Sequence, residues 1–136
     1  MKKISLHILL ATLLLTPVLM NAQVKQAVTP LATLQQQFVD LRFGMFIHFN
    51  IPTFANQDWP DPEAPASLFN PTKLDCNQWA ATAKAANMSY GCLTTKHHSG
   101  FCIWDTKTTD YNVMNSPLKR DVVKEYTTAF RAKGLK

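Results

Sequence analysis

The sequence predicts an α/β fold built on a parallel βαβ unit, and three observations predict it. Residues 42–49 and 88–95 are short, largely apolar runs of the kind that form buried strands. Residues 75–87 between them carry a helical pattern with its own start and stop signals. A second strand-then-helix succession follows, ending near Gly134. Two strands joined through a helix lie parallel in one sheet, which is the opening of either a β/α barrel or a doubly wound sheet.

The N-terminus is read separately. Lys2 and Lys3 precede the apolar run 8–15, and Ala22 is a suitable last residue before cleavage, so residues 1–22 are expected to be a secretory signal. The run is short for a membrane span. The mature chain, residues 23–136, is then expected in the periplasm or outside the cell, with no membrane association after cleavage. The formal charge of the 136-residue chain is +5, and without Lys2 and Lys3 it falls to +3, too small and scattered to argue for nucleic acid.

Each later element has its own signals. Thr29 and Pro30 open a helix over residues 30–41, with Leu31, Leu34, Phe38 and Leu41 on one apolar face. Strand 42–49 ends at His48. Residues 50–74 form a long loop rich in proline, with Phe54, Trp59 and Phe69 arguing against disorder. Asp75 caps the next helix, with Gln78 placed as in a capping box, and Asn87 stops it. Strand 88–95 leads into Lys96-His97-His98-Ser99-Gly100, and a second loop spans residues 106–118. Asp121 starts the last helix, with Val122, Val123, Tyr126 and Phe130 on one face.

Cys76, Cys92 and Cys102 include no C-x-x-C spacing, and an odd number cannot pair completely. They read as buried, small apolar residues. Two parallel strands cannot cover themselves, and a barrel needs eight strands and about 250 residues. The chain is therefore expected to be a fragment or a truncated product.

In a barrel, the carboxyl ends of all strands face one mouth, which would bring His48 to His97 and His98. Three chemistries compete for these imidazoles. They could bind zinc, although adjacent His97 and His98 are awkward joint ligands and no carboxylate or cysteine spacing supports the site. They could be structural, bonded to backbone at strand ends. They could recognise a polyol, because a neutral imidazole offers one donor and one acceptor, as a sugar hydroxyl does. With Trp59 or Trp104 to cover the apolar face of a pyranose, the third is favoured. Acid–base cleavage of a glycoside needs two flanking carboxylates. Asp58, Asp61, Glu63, Asp105 and Asp110 are available, but none sits at a strand end, whereas Asp75 and Asp121 serve as helix caps.

Three blocks stand out: Phe43-Gly44-Met45-Phe46-Ile47-His48-Phe49, Phe69-Asn70-Pro71-Thr72-Lys73-Leu74-Asp75 and Leu93-Thr94-Thr95-Lys96-His97-His98-Ser99-Gly100-Phe101. With Thr109-Asp110-Tyr111-Asn112-Val113 and Arg120-Asp121-Val122-Val123, they resemble the α-L-fucosidases of glycoside hydrolase family 29. The match runs in order from about residue 41 to residue 135. The resemblance implies the N-terminal portion of a catalytic (β/α)8 barrel, here truncated after about two strands. It implies hydrolysis of terminal α-L-fucosyl linkages of glycans by a retaining double displacement through a covalent intermediate on an Asp. By position, His48, His97 and His98 look like residues that bond fucose hydroxyls, and Asp58-Trp59 resembles the family's Glu-Trp pair, with Asp in place of Glu. The family's nucleophile and acid/base lie beyond Lys136, so no catalytic residue is expected in this chain, and no metal or other cofactor. The rival expectations are a non-catalytic, fucose-binding remnant and a metal-dependent hydrolase.

Overall fold

A computed structural model describes residues 28–136; the expected signal, residues 1–22, lies outside the described residues. The elements run α1 (Leu31–Val39), β1 (Gly44–Ile47), α2 (Ile51–Ala55), α3 (Cys76–Ala85), β2 (Tyr90–Leu93) and α4 (Val122–Ala132). Single 3₁₀ turns stand at Ala66–Leu68 and Val113–Asn115. All belong to one unit, Leu31–Lys136. Among the described residues, no helix is long and apolar enough to cross a membrane.

β1 and β2 pair in parallel, from Gly44 opposite Tyr90 to Ile47 opposite Leu93. This is the βαβ unit predicted from the alternation of elements, with strands of four residues rather than eight. α4 packs on β2, and α3 packs on α4. Met45, Ile47 and Leu93 face that side and join a core of Phe101, Ile103, Val113, Val122, Tyr126 and Phe130.

The opposite sheet face corrects an expectation. The continuous apolar runs predicted strands covered on both faces, yet Phe46 is 70% exposed and its partner Cys92 is exposed too. Alternation explains the pattern. Residues two apart share a face, so Phe46 and Cys92 lie opposite the side that α4 covers. They border a groove with Phe38, Gly44, Tyr90 and Gly91. Cys76 and Cys102 are buried as expected, and all three cysteines are free thiols.

The apolar face of α1 is left largely bare: Leu31, Leu34 and Phe38 are exposed, and Leu41 is only half-buried. The helix stops at Val39, because Arg42 takes a left-handed φ of 61° that turns the chain into β1.

The helix signals are otherwise local and direct. The Asp75 carboxylate accepts from the backbone N–H groups of Asn77 and Gln78, capping α3. The capping box is half-made, since the Gln78 amide donates forward to Thr82 Oγ1 at 3.0 Å. Asn87 (φ 58°) ends this segment in the left-handed region that asparagine tolerates. Asp121 caps α4 through the Lys124 N–H. Val122, Tyr126 and Phe130 are buried as the sequence predicts, and Ala129 joins them.

Residues 50–74, expected to be loop throughout, instead open with α2, which the Asn50 side chain caps, and carry one 3₁₀ turn; aromatic packing orders the segment. Phe49 meets Phe54, Phe69 and Trp79 edge-on, with centroids 5.7, 5.5 and 5.3 Å away, and Phe69 meets Phe101 at 5.2 Å. Such pairs add about 0.5–1.5 kcal/mol each beyond burial. Phe54 and Phe69 thus hold the loop as expected. Trp59 does not, being 75% exposed.

Candidate functional site

The site begins where the two parallel strands end side by side. The Thr94 N–H donates to Ile47 O at 2.9 Å, which carries the pairing one step past β2. His48 and Thr94 therefore stand in register on the uncovered sheet face, and His48 Nδ1 lies 3.0 Å from Thr94 Oγ1. The Phe46 ring lies 5.8 Å from the His48 ring, as residues two apart on one strand face should.

Beyond β2, an antiparallel bridge between Lys96 and Cys102 closes a tight turn. The Gly100 N–H donates to His97 O at 2.9 Å, and Gly100 takes φ +89°, a conformation that favours glycine. This turn holds His97 and His98 side by side. Their ring centroids are 4.5 Å apart and their Nδ1 atoms 2.7 Å apart. The His97 ring also meets the His48 ring edge-on at 4.8 Å.

The long loop brings the fourth ring. Trp59 lies 4.8 Å from His98 and 5.8 Å from His97, centroid to centroid. Pro60, the next residue, is buried, and its carbonyl oxygen lies 3.2 Å from His98 Nε2. Four of the five residues singled out from sequence are thus brought together: His48, Trp59, His97 and His98. Asp58 is exposed immediately before Trp59 and takes no part in the ring contacts that join the other four. Trp104, the other tryptophan considered for the sugar face, is half-buried in the next loop.

Burial pushes the pKa of His97 below the ordinary histidine value, and the neighbouring His98 and His48 add to the shift. The imidazole is therefore held neutral near pH 7, where it offers one donor and one acceptor. Among the described residues, no three His, Cys, Asp or Glu side chains are placed to hold a metal ion. The thiols are unreactive in character where buried: burial pushes Cys76 up to about 11 and raises Cys102 as well. Of the candidate carboxylates, Asp61 accepts the Glu63 N–H within its own turn, and Asp105 pairs with Lys107 on the surface.

Sequence reasoning missed several residues that set this geometry. Asn50 is fully buried; its side chain accepts the Ile51 N–H at 2.8 Å and donates to Phe101 O at 3.3 Å, tying the end of β1 to the loop after β2. Thr94 aligns His48, and register alternation on the two strands was the signal that could have found it. The Tyr111 hydroxyl donates to Ala64 O at 2.5 Å and pins the two long loops together. The Pro60 carbonyl is a backbone group with no signal in side-chain pattern.

The family model described as alpha-L-fucosidase matches residues 59–136, more than half of the chain, including Trp59, His97 and His98. The chain belongs to the α-L-fucosidase family. It is similar to alpha-L-fucosidase 1 of Arabidopsis thaliana, with 39% identity over 112 residues, covering 79% of this chain and 22% of that protein. It is similar to the crystal structure of a glycoside hydrolase 29 family member from an unknown rumen bacterium. The identity is 42% and the TM-score 0.72, over 75% of this chain and 19% of the other. It is also similar to a trapped covalent intermediate of a family 29 α-L-fucosidase from Bacteroides thetaiotaomicron, in complex with 2-fluoro-fucosyl fluoride. There the identity is 34% and the TM-score 0.67, over 76% of this chain and 28% of that one. The chain thus spans between 19% and 28% of the length of these relatives. Its helices and small parallel sheet are similar to part of these family 29 structures.

Proposed function

We propose that the polypeptide to which this chain belongs is an exported α-L-fucosidase that hydrolyses terminal α-L-fucosyl linkages of glycans or glycosides. In this reading residues 23–136 are the N-terminal part of a catalytic (β/α)8 barrel. His48, Asp58, Trp59, His97 and His98 form part of the fucose subsite, while the nucleophile and acid/base belong to residues outside this chain. Lys2, Lys3 and the apolar run 8–15 support export to the periplasm or beyond.

One observation carries the reading: Trp59 meets the His97–His98 pair, beside His48, in a chain of this family. An exposed indole offers a flat apolar face to a sugar ring, and neutral imidazoles match hydroxyl donors and acceptors. A retaining route supports itself on the relative trapped as a covalent intermediate. In a double displacement, a carboxylate attacks the anomeric carbon while an acid protonates the departing oxygen, and water then cleaves the glycosyl–enzyme bond. The imidazoles and Trp59 would orient the sugar for that attack.

The test has two arms. L-Fucose titrated against this chain should give a saturable change in tryptophan fluorescence that Trp59→Ala abolishes. The longer polypeptide should hydrolyse an aryl α-L-fucoside. No saturable response in the first arm and no hydrolysis in the second would overturn the proposal; binding without hydrolysis in the longer polypeptide would leave the non-catalytic reading in its place.

A further inference from the structure

We infer that Tyr111 is a positioning residue for Trp59: its hydroxyl fastens, through Ala64, the exposed segment that carries the indole to the histidines. Residues 56–68 connect α2 to the buried Phe69, and of them only Pro60 is buried. A segment with so little buried surface sits at the low end of local stability, so its few fastenings decide where it stays. Among the described residues, two hydrogen bonds tie it to the chain beyond residue 70. One joins Pro60 O to His98 Nε2 and lies within the subsite itself. The other runs from the Tyr111 hydroxyl to Ala64 O, 47 residues apart in sequence, and lies outside the residues assigned to the sugar.

Both ends of the Tyr111 fastening are themselves held. Tyr111 O accepts the Cys102 N–H at 3.1 Å, and the Val113 N–H donates to Cys102 O at 2.9 Å, which seats Tyr111 beside the turn after β2. Its ring meets the fully buried Phe101 edge-on at 5.1 Å. Ala64 closes a tight turn that starts just past Trp59. Its N–H donates to Asp61 O at 2.9 Å, and the Glu63 N–H donates to the Asp61 carboxylate at 2.8 Å. Burial holds the Tyr111 pKa above the ordinary tyrosine value, with the Ser99 hydroxyl beside it opposing the shift and Asp61 adding to it. The phenol therefore keeps the proton it donates. An indole held in place before a ligand arrives need not be ordered on binding, which strengthens the complex. That the ligand is a fucosyl sugar rests on the fucose-subsite reading; the fastening of Trp59 does not.

Tyr111→Phe keeps the ring on Phe101 and removes only the hydroxyl. In ¹H–¹⁵N spectra of the labelled chain, the Trp59 indole signal should shift or broaden, while that of Trp79, packed on Phe49, stays in place. Amide exchange at Glu63 and Ala64 should quicken about 2- to 10-fold, the worth of one hydrogen bond, with the amides of α4 unchanged. L-Fucose, followed by tryptophan fluorescence, should bind more weakly by a similar factor. An unchanged Trp59 signal overturns the proposal, and so does quickened exchange that extends to α4, which would make Tyr111 a support of the core alone. Equal L-fucose affinity in both chains, with the Trp59 signal moved, also overturns it. L-Fucose binding to neither chain, with the Trp59 signal moved, upholds the fastening and overturns the fucose-subsite reading, so the two failures are distinct.

Discussion

Gly91 lies directly beneath Phe130. A methyl group built on this glycine would overlap the Phe130 ring and the Tyr126 hydroxyl, so the absence of a side chain on β2 is what lets α4 settle on the sheet. Gly91→Ala is expected to force one of these rings aside and to cost about 1–3 kcal/mol, the usual range for overpacking a core. Urea unfolding of the two chains measures it, and an unchanged midpoint would show that α4 is not seated as described.

Trp59 and Phe69 separate binding from folding. Phe69 is fully buried in the aromatic cluster, and Phe69→Ala should cost about 3–5 kcal/mol. Trp59 is 75% exposed, and Trp59→Ala should change stability by no more than about 0.5 kcal/mol. Thermal melts of both variants test the contrast; a large loss in Trp59→Ala would mean that the indole packs rather than waits for a ligand.

Two neighbours at the start of α4 make a second contrast. The Asp121 carboxylate accepts from Lys124 N and, through its other oxygen, from Asp105 N at 3.2 Å, so it caps the helix and holds the preceding loop. Asp121→Ala should cost about 1 kcal/mol or somewhat more. Arg120 makes a two-pronged ion pair with Glu125, at 2.8 and 2.6 Å, but both side chains are substantially exposed. Arg120→Ala should cost at most about 1 kcal/mol. Amide exchange at Asp105 should quicken in the first variant and not in the second.

His97 makes folding acid-sensitive. Its pKa is lowered in the folded chain, so the unfolded chain binds the proton more readily. The contribution is present above the ordinary value near 6.5 and is lost as the pH falls through the lower, folded value. Stability should therefore decline on acidification across this window, and His97→Gln should flatten that part of the profile. A profile identical in the variant would remove His97 as the cause.

Local signals in the sequence were the legible ones. Asp75 and Asp121 were readable as caps because a carboxylate before a helix has one dominant use, and Val122, Tyr126 and Phe130 because their spacing admits one buried face. The convergence of His48 on His97 and His98 followed from placing both strand ends at one mouth of a barrel. What could not be read depended on partners distant in sequence. Leu31, Leu34 and Phe38 form a correct amphipathic stripe, but periodicity does not say what the stripe packs against. Phe46 has the composition of a covered strand residue, and only the placement of α4 on the other side reveals its exposure. Asn50, Thr94 and the Pro60 carbonyl act through contacts some 38 to 51 residues away.

The uncovered sheet face also gives the chain a chemical handle. Cys76 and Cys102 are buried and have raised pKa values, so a maleimide should leave them intact while the fold persists. Cys92 is exposed beside Phe46, so under native conditions it should take up a single label per chain. An environment-sensitive fluorophore attached there would sit on the sheet itself, and its emission would report directly when another surface comes to cover that face.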